Sequence, residues 1–545
     1  MRATLAHEPA LPLQGTFGEI RSALRVWPWL IAAVIVVAAL PRLWGLGTQP
    51  VLYFDSGVYL GEGAFLASVA QRAVAAVASG QNVALALQDG IDAHPPDIAK
   101  PGHAILLALS MLVLGKTVLA GALVSALAGI ATVFATFRIG ALGWNPRVGI
   151  VAALLLAISG QHIVYSREPL VEADALFFAT AAALTYLRAQ SWRGLLGAGV
   201  LYGLAFTCNN RLSYLPAIFA IVELGCWPGL RPLMKRALAV AGGFVLPLVV
   251  IEAAYLVARA IGRAAGARTD WVDYVQQLAA FSRMNPPDRV RLDEWPTYFV
   301  NVALMDGPLV LALLVLGIVV LLARRSWSRA DLLLAGSLLV PLLLYSVYST
   351  GEVRMRHFSL ALPWVMLAAA LGLDRLLRLG PARRMSLATT SVVVLLIGLA
   401  LPRTIDLATT PSGIAIVLNY LRQQGQTRVA TTNGSVLSFY IGEGNTNARL
   451  REAFVNTPAD LERLKERYDT LVVDMQAHVF PGELTERYER AQPLLRVPNG
   501  NSTWYLADLL EHYGVAWGGW DRLLADFAAH QSDATELRVY AMRDL

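Results

Sequence analysis

Acidic and basic residues stand beside the ends of long apolar segments at five points along the chain. Charged side chains are costly at membrane depth, and they usually face a polar cavity. All five clusters fall on the same side of the alternating topology that the sequence predicts, so we expect them to form one polar site. The candidate substrate-binding and catalytic residues are Asp55, Tyr59, Glu62, Lys100, His103, Arg167, Glu168, Arg211, Arg354, Arg356 and His357.

These residue types suit the chemistry of a phosphate at a membrane interface. Guanidinium groups bind phosphate through planar bidentate hydrogen bonds. A carboxylate beside them is suited to act as general base toward a hydroxyl or an amine. A phosphate held above an apolar surface indicates a lipid-linked substrate such as a polyprenyl-phosphate sugar. The base would deprotonate the acceptor as it attacks the anomeric carbon, while the cations stabilise the departing phosphate. The sugar would pass through an oxocarbenium-like state.

The composition indicates which elements position these residues. The chain has 545 residues, of which 56% are hydrophobic and 15% are charged. Soluble domains carry about 25% charged residues, so this chain is unusually apolar. Such a composition excludes a disordered chain, a coiled coil and collagen. Two cysteines, Cys208 and Cys226, cannot form a disulfide framework. Because a span needs roughly 20 apolar residues, the sequence predicts eleven spans, at about 26–46, 118–138, 147–164, 170–188, 194–208, 213–230, 237–258, 308–323, 331–348, 357–374 and 386–402.

The distribution of basic residues predicts the orientation. With the N-terminus in the cytoplasm, every predicted inner turn is basic, as the positive-inside rule requires. The first span acts as an uncleaved signal anchor after a cytoplasmic tail, 1–25. We expect a membrane domain at 26–405 with outer loops at 47–117 and 259–307. The short apolar stretch 101–115 is predicted to form an interfacial or re-entrant helix. The expected location is the plasma (inner) membrane.

The last part of the chain, 410–545, loses the long apolar runs and gains charge. Predicted helices at 411–424 and 457–468 alternate with β-branched runs at Thr427–Thr432 and Thr470–Asp474. This alternation is typical of a small α/β domain. The predicted fold is therefore a polytopic α-helical membrane protein with a C-terminal extracytoplasmic α/β domain.

The clusters resemble motifs of the GT-C superfamily of membrane glycosyltransferases. The resemblance is greatest to the branch containing protein O-mannosyltransferases and the aminoarabinose transferases that modify lipid A. Four segments carry it: Phe54-Asp55-Ser56, Lys100-Pro101-Gly102, Ser166-Arg167-Glu168, and Arg356-His357 with Pro363. The resemblance covers roughly 26–400 and implies inverting transfer from a polyprenyl-phosphate sugar. It also implies that Asp55 is the catalytic base near the acceptor.

Two positions depart from the pattern of that superfamily. Ser56 replaces the second acid of the usual pair, and Gly102 replaces the second proline of the Lys-Pro-Pro motif. Either Glu62 or Glu168 would then supply the missing carboxylate. The alternative is a member that binds its ligand without catalysing transfer.

Structural interpretations compete with the functional one at several residues. Asp55 would cap the helix that begins near Ser56, as short acids do. Lys100 would extend to the interface from an apolar helix. Arg167 and Glu168 would form an ion pair, and Arg211 would interact with a helix C-terminus.

A metal site is a further alternative in the first outer loop. Asp92, His94, Asp97 and His103 are residue types that bind divalent ions. Their spacing matches no known site, so we expect no metal ligands and no cofactor.

The preferred interpretation is an integral-membrane glycosyltransferase. Its expected partners are a polyprenyl-phosphate-linked sugar, a glycan, lipid or protein acceptor, and membrane lipids, with no nucleic acid. A transporter or flippase for a lipid-linked sugar is the main competitor. Transporters usually bind near the midplane between repeated halves, whereas this sequence has its charges at one interface and no internal repeat.

Overall fold

The protein is described by a computed structural model. The described residues are 28–49, 51, 53–84, 86–87, 98, 100–264, 266, 273–284, 295–347, 355–378, scattered positions between 391 and 409, 411–443, 451–455, 457–474, 482–499 and 536–545. The predicted eleventh span, 386–402, lies mostly outside these residues, as do the N-terminal tail, 1–25, and parts of both outer loops.

Helices form the membrane part of the chain. In order they are α1 (Pro28–Leu43), α2 (Phe54–Ser79), α3 (Pro101–Leu114), α4 (Val118–Gly143), α5 (Pro146–Ile158), α6 (Gly160–Arg167), α7 (Val171–Arg188), α8 (Trp192–Cys208), α9 (Leu215–Gly225), α10 (Leu230–Ala264), α11 (Tyr274–Met284), α12 (Trp295–Asp306), α13 (Pro308–Leu322), α14 (Arg329–Val347), α15 (Met355–Phe358) and α16 (Leu362–Leu377).

Three helical segments in the described part of the chain are long and apolar enough to cross a membrane: α4, α10 and Ser359–Leu377. The segments α5 and α6 pass the same test together but are bent by 60°. The predicted third span is therefore broken after Ile158. The predicted sixth span, 213–230, contains the short helix α9, which follows a 3-10 turn at Asn210–Tyr214 and ends at Gly225. The count of eleven spans stays a prediction.

Close helix packing depends on small residues at the contacts. A Cβ added at Gly243 of α10 would overlap the carbonyl oxygen of Leu196 and lie 2.9 Å from the amide nitrogen of Val200. In the same way, Gly199 of α8 lies against the backbone of Val240. Such contacts are typical of helix interfaces in membranes, where backbones approach closely.

The C-terminal part contains the small sheet that the sequence predicts. Its elements are α17 (Ile414–Gln423), β1 (Arg428–Thr431), α18 (Gly434–Glu443), β2 (Arg451–Phe454), α19 (Pro458–Lys465), β3 (Thr470–Val473), α20 (Gly482–Arg490), β4 (Leu495–Pro498) and β5 (Glu536–Ala541). The strand order is β2-β1-β3-β5-β4. Strand β1 pairs in parallel with β2 and β3, whereas β5 runs antiparallel to β3 and β4.

Candidate active site

The first turn of α2 carries the predicted base. The helix begins at Phe54, and its N-cap is Tyr53, so the capping interpretation of Asp55 is wrong. Arg356, which lies in α15, donates from Nη2 to Asp55 Oδ2 at 2.6 Å. The Asp55 side chain is 37% exposed, whereas that of Arg356 is 10% exposed. The carboxylate is therefore accessible at the edge of a buried cation.

A second carboxylate contacts the same guanidinium. Arg356 Nε lies 3.0 Å from Oε1 of Glu172, which is buried in the first turn of α7. The Tyr53 ring faces the guanidinium carbon at 6.0 Å. Burial alone would lower the pKa of Arg356, but Glu172 and Asp55 outweigh it and hold that pKa well above its ordinary value. Arg356 therefore stays charged between two acids.

Lys100 and Arg211 add two more cations to this cluster. Lys100 is the N-cap of α3, and its Nζ donates to Asn210 Oδ1. Burial, reinforced by Arg211, lowers the pKa of Lys100 to about 7, against the opposing effect of Glu172. Burial and the neighbouring Arg356 also lower the pKa of Arg211. Three basic side chains thus interact with the carboxylates of Asp55 and Glu172, and such side chains are suited to bind a phosphate.

Tyr59 and His103 pack beside this charged cluster. The Tyr59 ring meets the His103 ring edge-on, with 5.2 Å between centroids. His103 Nδ1 lies 2.6 Å from Oδ2 of Asp174, and Nε2 lies 3.3 Å from the carbonyl oxygen of Pro169. Burial, followed by Asp55, raises the pKa of Tyr59 well above its ordinary value. The tyrosine therefore stays neutral next to the charged groups.

Ser56 contacts one of the two carboxylates proposed to replace the missing acid. Its hydroxyl donates to Glu168 Oε2 at 3.0 Å, and Glu168 is buried. The other candidate, Glu62, is buried further along α2. The structure thus places a carboxylate directly at the position where the sequence departs from the superfamily pattern.

Close packing explains Gly102, which replaces the second proline of the Lys-Pro-Pro motif. A Cβ at this position would overlap the hydroxyl of Thr207 and lie 2.9 Å from the amide nitrogen of Cys208. The start of α3 therefore packs against the end of α8. This contact brings Lys100 close to Asn210.

Arg167 has a different environment from the three clustered cations. Its Nη1 donates to the carbonyl oxygens of Pro41 at 2.6 Å and Trp44 at 2.8 Å, at the C-terminal end of α1. The residue is buried. These contacts satisfy carbonyls that a helix end leaves without an intrahelical donor. Its predicted role as a phosphate ligand stays untested.

Arg42, near the end of α1, binds the carbonyl end of another helix in a similar way. The sequence analysis did not identify this residue. Its guanidinium donates to the carbonyl oxygens of Ala157 at 3.0 Å and Leu156 at 3.3 Å, where α5 ends. Its Nη2 also lies 2.6 Å from His162 Nδ1. An arginine inside an apolar segment was the available signal. Glu172 belongs to one of the polar clusters at the outer span ends but was not among the candidate site residues.

Several predicted residues lie outside the described part of the chain. These are Arg354, the side chain of His357, and the possible metal ligands Asp92, His94 and Asp97. Among the described residues, no group of three or more His, Cys, Asp or Glu side chains is arranged to hold a metal ion.

Comparison with known proteins places this arrangement in a recognised fold. ArnT from Cupriavidus metallidurans in the apo state superposes with a TM-score of 0.51 at 13% identity, covering 87% of this chain and 96% of that one. Archaeal oligosaccharyltransferase AglB from Archaeoglobus fulgidus, solved with an inhibitory peptide and a dolichol-phosphate, gives a TM-score of 0.51 at 14% identity. That match covers 87% of this chain and 74% of AglB. The fold is that of the GT-C membrane glycosyltransferases.

A match in sequence supports the same assignment. The profile of the dolichyl-phosphate-mannose-protein mannosyltransferase family matches residues 93–257. No curated protein sequence is significantly similar to the chain. The resemblance to the GT-C superfamily, in the branch of O-mannosyltransferases and aminoarabinose transferases, is confirmed.

Proposed function

We propose that the protein is an inverting glycosyltransferase that moves a sugar from a polyprenyl-phosphate donor to a lipid, polysaccharide or protein acceptor. Transfer takes place on the extracytoplasmic face of the inner membrane. The observation that carries the proposal is the set of interacting basic residues Lys100, Arg211 and Arg356, of which Arg356 contacts the partly exposed carboxylate of Asp55. The dolichol-phosphate bound to AglB supports a lipid phosphate as the anionic ligand.

Each step of the reaction has a residue to perform it. Asp55 accepts the proton of the acceptor hydroxyl or amine as that atom bonds to the anomeric carbon. The bond between the anomeric carbon and the phosphate oxygen breaks on the opposite face, and the electron pair leaves with the polyprenyl phosphate. Lys100, Arg211 and Arg356 stabilise the charge that develops on this leaving group.

The buried acids hold these groups in place. Glu172 contacts Arg356 on the Nε side, so the guanidinium keeps its Nη2 directed at Asp55. Glu168, which accepts a hydrogen bond from Ser56, supplies the second acid of the usual pair and contacts the sugar. We assign Arg167 to the end of α1 rather than to the phosphate, because its Nη1 donates to two backbone carbonyls there.

The test is a transfer assay with purified protein in detergent. Lipid extract from the source membrane supplies the donor, and released polyprenyl phosphate is the readout. Asp55→Asn should lower turnover by about 10²–10⁴-fold, because the amide cannot accept the proton. Asp469→Asn, at an exposed position of the C-terminal domain, is the matched control and should leave turnover unchanged. A folded Asp55→Asn variant with full turnover would remove Asp55 from this role.

The same assay separates the competing functions. Bound polyprenyl phosphate with no release by the wild-type protein would favour a non-catalytic binding protein. It would favour a transporter instead if the protein moved the lipid-linked sugar across a reconstituted bilayer.

A further inference from the structure

The C-terminal domain meets the membrane helices at the turn that carries Asp55. Ser435, at the start of α18, donates from Oγ to the carbonyl oxygen of Phe54 at 2.6 Å. That carbonyl belongs to the peptide bond immediately before Asp55. A second backbone contact joins the Ser412 amide to the carbonyl oxygen of Thr48 at 2.8 Å, in the turn that precedes α2. The domain therefore contacts the chain on both sides of the start of α2.

Gly57 allows the two helices to approach closely. A Cβ at this position would overlap the amide nitrogen of Val436 and lie 2.5 Å from the carbonyl carbon of Ser435. One turn further along α2, a Cβ at Gly61 would have no atom within 4 Å. The close backbone approach at Gly57 is therefore absent at Gly61.

Apolar packing extends this contact along α2. Leu60 and Ala67 of that helix share one buried cluster with Val436 and Leu437 of α18 and with Ile414 of α17. Burial of these apolar side chains removes them from water, which stabilises the contact. The domain and α2 therefore share one core rather than touching only through polar groups.

The contacting end of α18 is also fixed within its own domain. Asp474, which follows β3, accepts hydrogen bonds from Thr432 Oγ1 at 3.0 Å and from Asn433 Nδ2 at 2.7 Å. Thr432 and Asn433 follow β1, so the carboxyl ends of two parallel strands are tied together just before α18 begins. Ser435 is therefore held at a defined place relative to the sheet.

We propose that the C-terminal domain positions Asp55 for proton abstraction by fixing the first turn of α2. Ser435 and Gly57 are the positioning residues: one restrains the peptide bond before Asp55, and the other allows the contact that holds the turn. The proposal rests on the proposed transferase function. It assigns the domain a part in the turnover of the membrane site, beyond any part in binding the acceptor.

A pair of glycine variants tests the contact. Spin labels at Val74→Cys on α2 and Ile416→Cys on α17, both exposed positions, report the distance between domain and helix in a Cys226→Ser background. Gly57→Ala should broaden the distance distribution and lower kcat by about 10–100-fold, with the donor KM within about twofold of wild type. Gly61→Ala should change neither, because its methyl group meets nothing.

Serine variants test the hydrogen bond itself. Ser435→Ala should lower kcat by about fivefold, as expected for one lost hydrogen bond. Ser435→Thr keeps the hydroxyl donor, so its kcat should equal that of the wild type. A Gly57→Ala protein with wild-type kcat overturns the positioning role, and so does an equal loss in Gly61→Ala. If the wild-type protein transfers no sugar, the proposed function fails and the positioning role fails with it. Transfer by the wild type and an unaffected Gly57→Ala variant would overturn the positioning role alone.

Discussion

Arg356 donates to Asp55 at 2.6 Å although 301 positions separate the two residues in the chain. The same guanidinium lies 3.0 Å from Glu172. One cation therefore joins the start of α2, the start of α7 and the segment before α16. One contact of the partly exposed Asp55 carboxylate is therefore made by a residue from a distant part of the chain.

Replacing Arg356 should affect both turnover and stability. Arg356→Met leaves the buried Glu172 without this counter-charge and removes one of the proposed phosphate ligands. We therefore expect turnover to fall by about 10²–10³-fold and the protein to melt at a lower temperature. Arg356→Lys keeps the charge but replaces the planar guanidinium by a single ammonium group, which cannot reproduce the separate contacts of Nη2 with Asp55 and of Nε with Glu172. Its turnover should therefore be intermediate. Turnover and thermal unfolding in detergent measure the two effects. Wild-type turnover in a folded Met variant would contradict the role.

Lys100 should make phosphate binding depend on pH. Its pKa of about 7 means that the amine loses its charge as pH rises above neutrality, while a bound phosphate favours the charged form. The phosphate itself is mostly ionised above its second pKa of about 6. The affinity for undecaprenyl phosphate should therefore fall between pH 7 and 9, by at most about tenfold per pH unit.

The control for this prediction is Lys100→Met. Its affinity for undecaprenyl phosphate should be lower than that of the wild type at pH 7 and should change less between pH 7 and 9. Titrations at fixed ionic strength measure the dissociation constants. An equally steep decline in the Met variant would show that another group titrates.

Arg167 should contribute to stability rather than to donor binding. Hydrogen bonds from a charged donor contribute about 1.5–3 kcal/mol each, and its Nη1 donates to both Pro41 and Trp44. Arg167→Met should therefore lower the unfolding temperature, with the Kd for undecaprenyl phosphate within about twofold of wild type. The comparison is Arg211→Met, which should weaken binding. A Kd raised tenfold or more in folded Arg167→Met would return Arg167 to the phosphate site.

Two neighbouring glycines of α10 should respond differently to alanine. A methyl group at Gly243 would overlap the Leu196 carbonyl oxygen, so Gly243→Ala should destabilise the protein by about 1–3 kcal/mol. At Gly242 the nearest atom would lie 4.0 Å away, on the Leu196 side chain. Gly242→Ala should be neutral or stabilising by up to about 1 kcal/mol, since alanine favours helix. Unfolding in mixed micelles measures the difference, and equal effects would contradict the packing.

Local pattern was sufficient to predict many elements. The expected helices at 411–424 and 457–468 correspond to α17 and α19, and the β-branched runs correspond to β1 and β3. These elements could be predicted because periodicity and turn residues act over a few positions. The break between α5 and α6 was not predicted, because the apolar run continues up to it and Arg42, which contacts its carbonyls, lies more than 100 positions away.

The sequence by itself determined that charged residues gather at the ends of apolar segments, and hence that a polar site exists. Which residues meet in that site was decided only by tertiary structure. Two arginines that looked equivalent in sequence have different partners: Arg356 lies between Asp55 and Glu172, whereas Arg167 donates to the end of α1. The physical reason is that each partner belongs to another helix, so the choice depends on how the helices pack and not on the spacing within any one segment.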